Sequence, residues 1–355
     1  MAALSRLLQN RWVRIGLIVV IVVVALLLPL GLPIFWNQTL TRIGVYAVAV
    51  LGLNIVMGYT GQVSLGQIFF VGVGAYATAW AVNADVNIVL VFLLAVLIPA
   101  VMGLLVALAA ARLGGLAIAM VTIALPIVGV PLAKRLDVVT GGSQGTSARF
   151  SSAPEWTGLY DDQWQLYIVM LIALVVFVLA RNLVRGKFGR AFAIVKENEA
   201  VAASMGISPY RYKVLAFTIA AMFGGVAGFL YMVAVQYTSP ETLHFGHSIS
   251  LVAAMVIGGA ASIAGSVIGG VYYVLVPQMT NAIDPNLTAI IQGVILLAVL
   301  FVLPGGLAGL PRLFRRARRH REGTFTGAIP QTPPTPGSHS ASAEGNENTE
   351  RQGQA

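Results

Sequence analysis

The feature that most constrains this chain is a series of long apolar runs that contain no charged residue. A helix needs about 20 predominantly apolar residues to cross the hydrocarbon core of a bilayer. Only 10% of the 355 residues are charged, against about 25% in typical soluble domains, which excludes soluble, disordered, collagenous and disulfide-scaffold classes. The sequence therefore predicts an all-α polytopic membrane protein, with apolar runs at 15–36, 43–57, 62–82, 86–111, 113–133, 164–180, 214–236, 248–276 and 286–303.

Lysine and arginine are distributed unevenly between the two longest polar loops. Loop 181–213 contains seven of them and loop 134–163 contains three, while six arginines lie between Arg312 and Arg321. Positive charge concentrates on the cytoplasmic side of membrane proteins. We therefore expect loop 181–213 and the arginine cluster to be cytoplasmic and loop 134–163 to be extracellular, with Arg42 as a single exception at an outer end. The net charge of +9 then reflects membrane anchoring, and no nucleic-acid partner is expected.

The number of spans has to agree with this orientation. Nine spans from a cytoplasmic N-terminus would leave the C-terminal arginines outside, against their charge. The conflict disappears if the glycine-rich run 248–276 breaks and turns back, as segments of roughly 248–258 and 264–280. This gives about ten transmembrane segments, with one continuous long helix as the alternative.

Three glycines are expected to shape this broken pair, namely Gly258, Gly259 and Gly265. Glycine adopts positive φ without strain and lets backbones approach closely. On this interpretation valine is far more damaging at Gly259 than at Ala261.

The distribution of apolar, basic and polar residues also predicts a division of the chain into three parts. Residues 1–36 form an N-terminal span with a basic cytoplasmic start, and the lack of a small-residue cleavage site predicts that this span is retained. Residues 37–311 form the membrane core. Residues 312–355 are basic at first and then rich in Pro, Ser, Thr, Gly and Glu, which predicts a disordered cytoplasmic tail.

The chemistry that such a core can support is limited. The runs 43–84, 86–111, 113–133, 214–240 and 242–283 contain no Asp, Glu, Lys or Arg, so no carboxylate relay or voltage sensor can be assembled. The chain has no cysteine, and no Ser–His pair or paired Asp lies at depth, so catalytic residues, metal ligands and a resident cofactor are not expected. Sodium coupling through backbone carbonyls stays open.

Energy from ATP would require another polypeptide, because the chain lacks a G-x-x-x-x-G-K-[ST] phosphate loop. A separate ATPase needs a rigid element to push against, and residues 188–205 offer one. Phe188, Phe192, Val195, Ala202 and Met205 recur near helical spacing. The periodicity fits a helix that docks on an ATPase and an ordinary interfacial helix equally well.

Several segments contain recognisable motifs in addition to their apolar periodicity. They closely resemble, in the same order, the LivM-like branch of the branched-chain amino-acid ABC permeases over about residues 40–310. The segments are 58–67 with 74–76, 116–122, 140–143, 189–217 and 255–265.

This resemblance implies a permease subunit of an ABC importer in a bacterial inner membrane, with both termini cytoplasmic. Its implied partners are a homologous second permease, two ABC ATPase subunits that hold ATP and Mg²⁺, an extracellular or periplasmic solute-binding protein, and the lipid bilayer. The implied cargo is a branched-chain or related amino acid. Urea, short amides or aromatic acids carried by the same machine are the alternative, followed by a self-contained channel or a sodium-coupled carrier.

The resemblance also assigns candidate residues. Glu199, Ala202, Ala203 and Gly206 are similar to a degenerate form of the ATPase-coupling loop of these permeases. Polar or glycine positions in the apolar runs are candidates for the translocation path or gate: Asn54, Gly61, Gln62, Ser64, Gln67, Tyr76 and Thr122. Hydrogen bonding between helices explains the polar ones equally well, and Gln62 fits a gate or a helix cap.

Overall fold

The computed structural model describes residues 27–112, 115–282, 288–302 and 306–309. Within them the chain is almost entirely helical, and residues 27–31 form a short turn of helix before the first long one. The helices are α1 Ile34–Leu53, α2 Gln67–Asn83, α3 Ile88–Ala110, α4 Gly115–Arg135, α5 Asp137–Thr140, α6 Asp161–Arg185, α7 Lys187–Glu197, α8 Glu199–Ser204, α9 Pro209–Val235, α10 Phe245–Gly258, α11 Ile263–Asn281 and α12 Thr288–Val302. A π-helical turn, Asn54–Tyr59, extends α1, and short 3₁₀ turns lie at Gly142–Gln144, Glu155–Thr157, Pro240–Leu243 and Leu307–Gly309.

Helix α9 is the centre of the fold. It packs against α1, α2 and α3, and 72% of its most apolar stretch is buried, compared with 17% for the peripheral α6. Glycines permit this packing: a Cβ added at Gly225 would lie 2.3 Å from the carbonyl oxygen of Ala95, and one added at Gly228 would lie 2.2 Å from that of Val71. Small residues at such crossings let helix backbones come into contact.

The chain is mostly helical, as predicted, and the length and composition of several helices fit membrane spans. Among the described residues, six helices are long and apolar enough to span a membrane: Ile34–Tyr59, Ile88–Ala110, Ala117–Arg135, Asp161–Arg185, Pro209–Val235 and Ile263–Asn281. Other apolar helices are shorter, so the number of about ten spans stays a prediction. Most of the first predicted span and all of the tail 312–355 lie outside the described residues.

The start of α1 differs from the predicted boundary. The apolar run 15–36 reads as one span, yet the helix that crosses the core begins at Ile34, inside that run. Pro33 precedes it with an extended backbone, φ −61° and ψ 153°. Proline disfavours helical geometry in the residue before it, so the chain turns at this point and not after Trp36.

The glycine-rich run is broken in the structure, at the place where the sequence puts the break. Helix α10 ends at Gly258 and α11 begins at Ile263. Gly259 has φ +120°, and a Cβ added at Gly258 would lie 2.1 Å from the carbonyl oxygen of Gly265. Ala261 also has a positive φ, +56°, so valine is strained at this position as well, and Ala261 is not a suitable control for Gly259.

The two long polar loops lie at opposite ends of α9. Loop 181–213 leads into its first residue, while loop 134–163 folds over its last turn, where β1 (Thr146–Ser147) pairs antiparallel with β2 (Tyr237–Thr238). Ser151 Oγ donates to the carbonyl oxygen of Val233, 3.0 Å away, and fixes loop 134–163 to the end of α9. This arrangement agrees with the expectation that the loops face opposite sides of the membrane.

The break between α10 and α11 predicts a specific pattern of destabilisation. Gly259→Val places a β-branched residue at φ +120°, which costs about 1–3 kcal/mol of folding free energy. Ala260→Val is the matched control, since Ala260 is the exposed residue of the same turn. We expect the thermal unfolding midpoint of the detergent-purified chain to fall for Gly259→Val only. An equal fall in both variants would contradict the role of Gly259.

Candidate functional site

The basic loop 181–213 folds into two short helices where the sequence predicts one. Helix α7 ends at Glu197 and α8 begins at Glu199. Asn198 separates them because its backbone is extended, φ −160° and ψ 119°. Its side-chain oxygen accepts hydrogen bonds from the backbone N–H groups of Ala200 and Val201, at 2.9 and 3.2 Å, which caps α8.

The predicted apolar face of these helices is only partly buried. Phe192, Val195 and Ala202 are buried against the spans, whereas Phe188 and Met205 are 46% and 63% exposed. Of the four predicted coupling residues, Glu199, Ala203 and Gly206 are exposed and Ala202 is fully buried. Gly206 adopts φ +76° and ends α8 in the conformation that favours glycine.

Two lysines tie the loop helices to the membrane helices. Lys196, near the end of α7, donates from Nζ to the carbonyl oxygen of Gly58 in the π-helical turn, 2.6 Å away. Lys213, in the first turns of α9, is 8% exposed and pairs with the carboxylate of Glu199 at the start of α8. A buried ammonium is unfavourable unless it is paired, so Glu199 stabilises Lys213 in this position. Movement of α7 and α8 is therefore resisted by contacts to both α1 and α9.

The π-helical turn in turn holds the break between α10 and α11. Asn54, fully buried, donates from Nδ2 to the carbonyl oxygens of Gly259 and Ser262, at 3.4 and 2.8 Å, and to Ser266 Oγ at 3.1 Å. Its Oδ1 accepts from the backbone N–H of Ala261 at 2.8 Å. One amide therefore pairs the carbonyl of Gly259 and the N–H of Ala261, and adds a contact to the carbonyl of Ser262, which also accepts from the backbone N–H of Ser266.

We call this connected set the junction: the π-helical turn with Gly61 and Gln62, the turn 259–262, Lys196, Glu199 and Lys213. The contacts run without interruption from the exposed loop helices to the broken pair. A Cβ added at Gly58 would lie 2.0 Å from Asn54 Oδ1 and 2.5 Å from the backbone nitrogen of Ala261, so the π-helical turn and the turn 259–262 are in close contact.

Gln62 belongs to the same set. Its Nε2 donates to Thr60 Oγ1 at 2.9 Å and to the carbonyl oxygen of Lys213 at 3.3 Å. Gly61 before it has φ +72°, and the aliphatic stem of Lys196 lies 3.0 Å from the position of a Cβ there. The structure thus gives Gln62 a bracing contact between α1 and α9, while its role as a gate stays a prediction.

Three further predicted path residues, Ser64, Gln67 and Thr122, follow the junction residue Gln62 in the chain. Gln67 opens α2 and donates from Nε2 to the carbonyl oxygen of Ala220 on α9, 3.0 Å away. Thr122 on α4 accepts from the backbone N–H of Leu65 at 3.1 Å, and Ser64 beside it is buried. These contacts match the interpretation of the polar side chains as ties between helices.

Tyr76 is set apart from the others. It is 5% exposed, and among the described residues its hydroxyl has no hydrogen-bond partner. It lines an apolar cavity of about 230 Å³ with Phe69, Trp80 and Leu243. Tyr76 is therefore not brought together with the junction residues.

Sequence reasoning did not single out Gly58, Lys196 or Lys213. The two lysines counted only as positive charges in a basic loop, and Gly58 only as part of a motif. Charge spacing gives no signal that Lys196 turns inward, because its partner is the carbonyl group of Gly58, more than a hundred residues away in the chain. The three-dimensional contacts alone distinguish them.

Comparison with known proteins relates this chain to a family of membrane transport proteins. Residues 36–300 match the family model described as "Branched-chain amino acid transport system / permease component". The LivM permease protein of Escherichia coli K12 is 30% identical over 77% of this chain and 69% of its own length, and that of Salmonella typhimurium is 29% identical over 76% and 68%. The LivH permease protein of Salmonella typhimurium is 27% identical over 48% of this chain and 53% of its own length. No solved structure matches.

Asn54 should be the residue on which the junction's stability depends most. Asn54→Leu keeps the volume but removes the hydrogen bonds to the carbonyl of Gly259 and the backbone N–H of Ala261, at about 1–3 kcal/mol for each buried group. Thr78→Val is the control, because its buried hydroxyl bonds only a carbonyl of its own helix. We expect a clearly larger fall in the thermal unfolding midpoint for Asn54→Leu. Equal falls in both variants would contradict the role of Asn54 in the junction.

Proposed function

Because the chain belongs to the family of permease components of branched-chain amino acid transport systems, we propose that it is the membrane-spanning subunit of an ATP-driven importer. In this machine it pairs with a homologous second permease, and the similarity of one chain to both LivM and LivH proteins supports such a pair. Two separate ATPase subunits and an external solute-binding protein complete the assembly. The cargo is a branched-chain or related amino acid, moved into the cell.

The observation that supports this proposal is the exposed helix pair α7–α8, which is attached to the membrane-spanning helices by a hydrogen bond and an ion pair. Val201 is 49% exposed and Met205 is 63% exposed, and they lie beside the exposed Ala203. Small and apolar side chains surrounded by charge are typical of a protein interface core with a polar rim. An ATPase that binds here contacts an element hydrogen-bonded to α1 and α9.

In this proposal the junction transmits force from the loop helices to the membrane-spanning helices by two routes. Displacement of α7 acts through Lys196 on the π-helical turn, and displacement of α8 acts through Glu199 on Lys213 in α9. The π-helical turn passes its movement through Asn54 to the turn 259–262. Closely packed helices respond to such a push as rigid units, so closure of the ATPases alters the angle between the broken pair and α9.

ATP and Mg²⁺ are held by the ATPase subunits, and this chain supplies no catalytic residue. Its part is to position the helices that open and close the path. Leucine uptake into proteoliposomes containing all subunits, with ATP inside, tests the function directly. Uptake that needs ATP and every subunit supports the proposal. Leucine flux from this chain alone would favour a channel or carrier, and uptake of urea or short amides in place of leucine would favour the alternative cargo.

Ala203 provides the sharpest test of the coupling role. Its side chain is exposed, so Ala203→Trp leaves the fold of the chain intact but fills the surface on which the ATPase docks. We expect co-purification of the ATPases and substrate-stimulated ATP hydrolysis to fall by about tenfold, the effect of losing a well-packed interface contact. Ala203→Ser, which adds one oxygen, is the matched control. Full transport by Ala203→Trp would show that the loop is only an interfacial helix pair.

The orientation in the membrane is tested by single cysteines, for which the cysteine-free chain offers a clean background. Ser147 is exposed in the loop predicted to be extracellular, and Ser338 lies in the tail predicted to be cytoplasmic. An impermeant thiol reagent should label Ser147→Cys and not Ser338→Cys in intact cells. Labelling of position 338 would overturn the cytoplasmic placement of the C-terminus.

A further inference from the structure

Arg42 is the one cation that the charge distribution leaves unexplained. It lies in α1 roughly 12 Å along the helix axis from Ile34, the first residue. Among the described residues it forms no ion pair. Charged side chains within membrane helices are rare, and they commonly face a cavity that carries the transported species.

The structure places Arg42 on the wall of a cavity of about 300 Å³ between α1, α9 and α11. The cavity lies at the end of α9 opposite the junction, since Val235 and Asn281, the last residues of α9 and α11, also line it. Three tyrosines share the wall with Arg42. The rings of Tyr46 and Tyr273 have centroids 4.1 Å apart and are tilted by 34°.

The remaining residues that line this cavity are partly polar and partly apolar. Gln278 contributes an amide to the wall, while Val274 and Pro277 contribute apolar surface. A small solute with a carboxylate and an aliphatic side chain finds complementary groups on both parts. Ligand pockets typically combine such apolar walls with a few convergent polar groups.

A second cavity of about 210 Å³ adjoins the first, and Tyr46 and Tyr231 line both. It carries the carboxylate of Glu241 and the imidazole of His247, whose Nδ1 is 3.1 Å from Tyr273 Oη. The tyrosines therefore stand between the Arg42 guanidinium and the Glu241 carboxylate, which is also paired with Lys134, 3.8 Å away. A zwitterion in the first cavity is oriented with its carboxylate towards Arg42 and its ammonium towards the electron-rich faces of the tyrosine rings.

We propose that the Arg42 cavity binds the transported α-amino acid as a zwitterion, with the Arg42 guanidinium holding its carboxylate. The guanidinium presents a planar fork that matches a carboxylate, and the ammonium lies over the tyrosine rings. The aliphatic side chain contacts Val235, Val274 and Pro277. This inference rests on the proposed function and assigns its substrate a site, at the end of the helices that faces the extracellular loop in the predicted orientation.

The test compares two ligands that differ only in the carboxylate. The full chain with its partner permease, in lipid nanodiscs, is titrated with radiolabelled L-leucine and with L-leucinamide, which keeps the ammonium and the side chain. Arg42→Gln should weaken leucine binding by about tenfold, as expected for a lost charge-assisted contact, and should leave leucinamide binding unchanged. Arg42→Lys should retain part of the preference for leucine. Arg149→Gln, which removes an exposed arginine from loop 134–163, should change neither ligand.

Three results would overturn the site: no leucine binding by the wild-type pair, equal leucine binding by wild type and Arg42→Gln, or an equal loss of both ligands in Arg42→Gln. The importer function is judged separately, by ATP-dependent leucine uptake of the wild-type complex. Uptake in wild type that Arg42→Gln leaves unchanged rejects the site and keeps the function. Carboxylate-selective binding without ATP-dependent uptake keeps the site and rejects the function.

Discussion

The structure depends on how the interruption between α10 and α11 is satisfied. A helix that stops inside an apolar environment leaves backbone N–H and C=O groups without partners, at several kcal/mol for each one in hydrocarbon. Asn54 contacts four groups of this segment, the carbonyls of Gly259 and Ser262, the N–H of Ala261 and the hydroxyl of Ser266. It reaches them because α1 widens into a π-helical turn at this residue. Such turns are frequent at functional sites.

Close backbone contact is the second requirement, and it explains where glycines are placed. The broken pair is held together by Gly258 and Gly269, whose added Cβ atoms would lie 2.1 and 2.5 Å from carbonyl oxygens of the partner helix. Helix α9 uses Gly225 and Gly228 in the same way. Without a hydrophobic driving force between helices in lipid, this close packing and the hydrogen bonds between helices supply the association energy.

These two features make the junction a mechanical connection as well as a stable one. Lys196 and Glu199 belong to the exposed loop helices, yet their partners, Gly58 and Lys213, belong to the spans. In the proposed function, a displacement of the loop helices is passed through these contacts to α1 and α9.

The sequence by itself determined the class, the positions of most helices and the location of the break. Length and apolarity of a run are local properties, and the charge of the C-terminal arginines required one additional turn in the chain. It also identified Asn54, Gln62 and Gln67 as polar residues of interest, but it left a path and a bracing role equally open. The loop was predicted as one helix because its periodicity continues through Asn198, whose capping role competes with that pattern.

Only the tertiary structure decided which partners these residues have. Asn54 bonds to Gly259, 205 residues further along the chain, and Gln62 bonds to the carbonyl of Lys213, 151 residues further along. Pairings of this kind depend on which helices become neighbours, and apolar periodicity does not encode that choice. The same holds for Arg42, which is an exception to a charge rule in the sequence and part of a tyrosine-lined cavity in the fold. The physical reason is that hydrogen bonding and cavities belong to several segments at once, whereas helix formation belongs to one.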